Sequence, residues 1–143
     1  MTKNSVLELA QRTAIAGRPT DDRVTISVDL YNRAMRLALE DSFSEDWYLS
    51  EYPDVKEALD KGIVSSALDH YVSAGLYEGR FPFELEVDEE SYFQTHPDVE
   101  EAVIEEKFSS ALQHFKTVGY AEGRRFALTK PKPTKSGRKV SAK

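Results

Sequence analysis

The sequence predicts a mainly α-helical protein in which two tandem three-helix repeats follow a helix–short strand–helix segment. Three observations predict it. The phrase "HYVSAGLYEGR" at residues 70–80 returns 44 residues later as "HFKTVGYAEGR" at 114–124, and the alignment of the two copies needs no gap. Within each copy, apolar residues recur at helical spacing between start and stop signals. A hydrophobic content of 40%, with seven Phe and seven Tyr, is enough for a packed core.

Residues 1–43 belong to neither copy. "SVLELAQRTAIAG" reads as a helix from Asn4 or Ser5 to Ala16, closed by Gly17. After the loop "RPTDD", the run "RVTISV" alternates Val24, Ile26 and Val28 with Arg23, Thr25 and Ser27, the pattern of a short strand. "DLYNRAMRLALED" then places Leu30, Ala34, Leu37 and Ala38 on one helical face.

The first repeat, 44–87, opens with Ser44 as N-cap ahead of acidic residues. Pro53 pushes Tyr52 out of helical angles, so the first helix stops near Glu51 and a second starts at the proline. Val55, Ala58 and Leu59 form one stripe, and Gly62 ends that helix. Ser65 or Ser66 caps the third, which carries Ala67, Leu68, Tyr71 and Val72. Gly75 stands where a left-handed C-cap is expected, with Leu76 supplying the accompanying contact. The second repeat, 88–128, copies this at Tyr92, Pro97-Asp98-Val99, Ala111-Leu112, His114 and Gly119. The packing positions are Tyr48, Val55, Leu59, Leu68 and Tyr71 and their counterparts. One difference stands out: Glu106-Lys107 replaces Gly62-Ile63, which predicts a middle helix running on by a turn. Residues 129–143, rich in Lys, Pro and Ser, read as a disordered basic tail.

The joint pattern Y-x-x-x-x-P-D-V-x-x-A followed by H-[YF]-x-x-x-G-x-x-E-G-R resembles short helical repeats of bacterial proteins. These stand beside glycosyltransferase domains of surface-polysaccharide synthesis and in secreted calcium-binding repeat proteins. The resemblance covers residues 44–125. Family members commonly carry Asn before Pro-Asp-Val, where this chain has Tyr52 and His96. It implies a bacterial source and a scaffold or recognition role. It brings no catalytic residues and no glycosyltransferase activity.

Charge is unevenly spread. Residues 44–125 carry seven basic and nineteen acidic side chains, a balance of −12; residues 126–143 carry six basic and none acidic, +6. The repeats would repel phosphate backbones, and only the tail would attract them, weakly and without sequence preference. The strand at 23–28 leading into a helix looks like the start of a ribbon-helix-helix motif, whose paired strands enter the DNA major groove. A small DNA-binding regulator is therefore the alternative to an interaction module. The other reading of the strand turns Val24, Ile26 and Val28 inward.

The absence of cysteine excludes disulfides, thiolate metal sites and a Cys nucleophile. No run has signal-peptide or membrane-spanning length, so a cytoplasmic protein without a membrane span is expected. No P-loop, G-x-S-x-G, H-E-x-x-H or dinucleotide pattern occurs, and His70, His96 and His114 lack the neighbours a zinc site needs. The expectation is no enzyme, no cofactor and no metal, with an unknown protein partner. The residues singled out are the Glu-Gly-Arg turns. Arg80, beside Glu78, is expected to fold back on Asp54, and Arg124, beside Glu122, on Asp98; the competing reading is an exposed anion contact. Gly75, Gly79, Gly119 and Gly123 are assigned to structure, with positive φ expected at Gly75 and Gly119.

Overall fold

The computed structural model describes residues 2–17 and 27–129. It is mainly helical. Helix α1 spans Lys3–Ala16 and α2 Val28–Leu39. The first unit follows as α3 (Glu45–Glu51), α4 (Pro53–Asp60), α5 (Ala67–His70) and a π-helical turn over Tyr71–Gly75. The second unit repeats it as α6 (Glu89–Thr95), α7 (Pro97–Ile104), α8 (Ala111–His114) and a π turn over Phe115–Gly119. Every one of these boundaries is displaced by the same 44 residues that separate the two phrases.

Local chemistry accounts for the boundaries. Ser66 and Ser110 cap α5 and α8 by accepting from the N–H of Asp69 and Gln113 at 3.0 and 3.1 Å. Tyr52 and His96, each before a proline, leave helical angles at φ −121° and −130°. Ser44 occupies the N-cap of α3, but its side chain makes no capping bond; its N–H instead donates to the carbonyl of Pro82.

Helices α4 and α7 end alike, which corrects the expected extra turn. Gly62 takes φ +68° and Glu106 φ +61°. Each belongs to the same motif, in which Ile63 N–H bonds to Ala58 O and Lys107 N–H to Ala102 O, the reach-back that closes a Schellman turn. The geometry of the unit outweighs the preference of a glutamate against the left-handed region.

The core holds Tyr48, Val55, Tyr71, Val72 and Leu76 of the first unit with Tyr92, Val99, Phe115 and Tyr120 of the second. Leu59 and Leu68, expected inside, are only half-buried, as are Val103 and Leu112. The connector 81–87 buries Phe81, Phe83, Leu85 and Val87 while Glu84 and Glu86 face out. Its end pairs with the chain after the second unit through one antiparallel bridge, Val87 to Leu128.

Helix α1 lies on the second unit and α2 on the first. Val6, Leu7 and Ala10 of α1 are buried, and buried Gln11 donates through Nε2 to the carbonyls of Tyr120 and Arg124, both at 3.2 Å. Helix α2 buries Met35 and Leu39 and pairs Arg36 with Asp69. The stripe of Leu30, Ala34 and Leu37 looks outward instead, with Leu30 54% and Leu37 69% exposed; Ala38 is half-buried. Of the expected strand 23–28, residues 23–26 lie outside the described residues. Ser27 and Val28 are no strand: Ser27 caps α2 by accepting from Leu30 N–H at 3.1 Å, and Val28 is its first helical residue. Of the expected disordered tail 129–143, Thr129 is held by its N–H to the carbonyl of Glu86 at 2.7 Å, and residues 130–143 lie outside the described residues. Among the described residues, no helix is long and apolar enough to cross a membrane.

Candidate functional site

The repeated phrase builds the same arrangement twice. After α5 the chain passes through the π turn, where Leu76 N–H reaches Tyr71 O at 2.8 Å, and stays helical through Leu76. It reverses at Gly79, φ +74°, with Arg80 N–H bonding to Gly75 O at 2.9 Å. Gly123 at φ +71° and the bond from Arg124 N–H to Gly119 O repeat the reversal. The left-handed glycines are thus those of Glu-Gly-Arg. Gly75 and Gly119, expected to hold that role, have no positive φ.

Gly75 and Gly119 are required by space. A Cβ on Gly75 would overlap the hydroxyl of Tyr48, and one on Gly119 that of Tyr92. Those hydroxyls are fixed at 3.0 Å from Nδ1 of His70 and of His114. The spacing of histidine and glycine in the phrase therefore encodes a tyrosine that comes 22 residues earlier. Burial holds both imidazoles below their ordinary pKa, with the nearby Arg80 or Arg124 adding to it. Burial also raises both phenols, Tyr92 to about 12.

The reversal delivers the arginine to its acid. Arg80 donates from Nη1 and Nη2 to the two oxygens of Asp54 at 2.9 and 2.6 Å, and from Nε to Glu78 at 2.8 Å. Its guanidinium lies 4.8 Å from the centre of the Tyr52 ring. Arg124 grips Asp98 through Nη1 and Nη2 at 2.9 and 2.8 Å, and Glu122 through Nε at 2.9 Å. The hydrogen bonds from Arg80 pull Asp54 down to about 2, and Arg124 lowers Asp98 in the same way. The carboxylates remain largely exposed, so each pair is held to the upper end of the ~0.2–1 kcal/mol range of surface pairs. Nε and both Nη of each guanidinium are thus engaged by the chain's own acids.

Sequence reasoning missed a third tie. Tyr52 Oη accepts from the N–H of Phe81 at 3.0 Å, and His96 Nε2 bonds the carbonyl of Arg125 at 2.7 Å. The residue before the proline thus anchors the residue after the arginine in both units, by the N–H in one and the C=O in the other. The signal in the sequence was an aromatic ring, Tyr52 or His96, before each Pro-Asp-Val. Outside the repeats, an open groove of about 480 Å³ separates α2 from α5, lined by Asn32, Arg33, Arg36, Ser65 and Asp69. Among the described residues, no three His, Asp or Glu side chains gather to hold a metal. Comparison with family models, with curated proteins and with solved structures returned no match.

Proposed function

We propose that the chain is a non-catalytic helical interaction or scaffold module that serves bacterial surface-polysaccharide or envelope machinery. What supports this reading is the division of labour between repeat and N-terminal segment. The histidine, glutamate and arginine of the repeated phrase are engaged within their own unit, as hydrogen bonds and ion pairs that hold a turn. Helix α2, pinned to the first unit by Met35, Leu39 and Arg36, turns a second apolar face outward at Leu30, Ala34 and Leu37. A helix that is apolar on its outer side loses hydration free energy unless something covers it. The connection with polysaccharide machinery rests on the resemblance of the repeats alone.

The test is affinity capture from the native host with the wild-type chain and with Leu30→Lys/Leu37→Lys. Both positions are exposed, so the double variant keeps the melting midpoint of the wild type. The expected result is a defined protein retained by the wild type and lost with the variant. Equal capture by both, or DNA as the retained species, overturns the reading.

A further inference from the structure

The two histidines of the repeated phrase differ in burial. His70 is partly exposed, whereas His114 is 5% exposed. One difference between the units lies beside the ring. Where the first has Val64, the second has Phe108, whose ring meets the His114 imidazole edge-on at 4.7 Å. The groups facing His114 come from every neighbouring element: Tyr92 from α6, His96 from the junction of α6 and α7, Asp98 from α7, and Glu122 and Arg124 from the closing turn. Glu122 and Asp98 are both engaged by Arg124, and their pull toward an imidazolium is outweighed by burial and by the Arg124 charge. Nδ1 is committed to the Tyr92 hydroxyl.

One anchor of α1 lies six to ten residues beyond His114 in the chain, beside the buried Val6, Leu7 and Ala10 and the Asn4 side chain, which accepts from Leu128 N–H at 3.3 Å. The π turn begins at Phe115, and the carbonyls of Tyr120 and Arg124 that receive Gln11 belong to the closing turn. Ile15 of α1 also reaches the space beside Gly123. Helix α2 holds to the first unit by separate contacts, Arg36 with Asp69 and Tyr31 with Tyr77.

We propose that His114 is an acid-sensitive latch: protonation of its imidazole loosens the closing turn of the second unit and frees α1, while α2 and the first unit stay in place. Burial sets the sign. The folded state holds the imidazole below its unfolded pKa of about 6.5, so its contribution is complete above that value and is lost as pH falls through the folded pKa. Asp98 is held low by Arg124 and stays ionised throughout this window.

Hydrogen exchange on the full chain at pH about 7.5 and about 5, corrected for intrinsic rates, reads the latch directly. Protection of residues 3–16 is expected to fall at least about tenfold more than that of residues 28–39. Phe108→Val, which copies the first unit, is expected to raise the His114 midpoint measured by NMR and shrink the difference. Equal loss in the two helices, or a His114 midpoint at or above that of His70, overturns the proposal.

Discussion

A methyl group on Gly75 would meet the Tyr48 hydroxyl, and one on Gly119 would meet that of Tyr92. Gly75→Ala is therefore expected to destabilise by about 1–3 kcal/mol, the cost of overpacking a tight contact. Tyr48→Phe alone costs about 1 kcal/mol through the lost bond to His70. Combined, the two should cost less than their sum, because removing the hydroxyl makes room for the methyl; additivity in denaturant melts would show that the contact is not what demands glycine. The sequence displays the glycine and the histidine but not the tyrosine they serve, since 22 residues separate the partners and no local rule spans them. A further position tests the cost of a single group. Tyr71 buries a hydroxyl that, among the described residues, finds no partner, and the second unit has Phe115 there. Tyr71→Phe is expected to be neutral or stabilising by up to about 1 kcal/mol, checked by the same melts.

Among the elements, α4 and α7 end in the same left-handed turn with different chemistry. Gly62 takes φ +68° without strain, whereas Glu106 takes φ +61° against the steric preference of a residue with a Cβ. Glu106→Gly is expected to stabilise by about 0.5–1 kcal/mol and Gly62→Ala to destabilise by about 1 kcal/mol. Opposite signs in the two melting midpoints check this. The substitution of glutamate for glycine reads locally as a longer helix; tertiary context overrides it because Lys107 N–H still closes onto Ala102. Helix α2 was hard to orient for a different reason. Its periodicity supports two apolar faces, one of Met35 and Leu39 and one of Leu30, Ala34 and Leu37, and spacing alone cannot say which meets the core. The connector 81–87 went unread, although Phe81, Phe83, Leu85 and Val87 carry the period of two of an extended chain.

For the whole molecule, the duplication was readable because an offset of 44 residues repeats every helix boundary from 45 to 119. The docking of α1 on the distant second unit was not readable, because its key contact is the polar side chain of Gln11, which looks like a surface residue until its carbonyl partners are in place. Charge predicts behaviour at this scale: with −12 over residues 44–125, the full chain should show no sequence-specific DNA binding at ~150 mM salt in a mobility-shift assay with and without residues 130–143. A retarded fragment that survives removal of the tail would favour the regulator. The central claim is that the Glu-Gly-Arg phrase closes its own unit. Lysine keeps the charge of Arg80 and Arg124 but cannot grip both oxygens of Asp54 or Asp98. Thermal unfolding of Arg80→Lys, Arg124→Lys and the double variant measures the claim most directly. Each single replacement is expected to cost up to about 1 kcal/mol and the pair to lower the midpoint by roughly 4–8 °C, whereas midpoints equal to that of the wild type in all three would contradict the clamp.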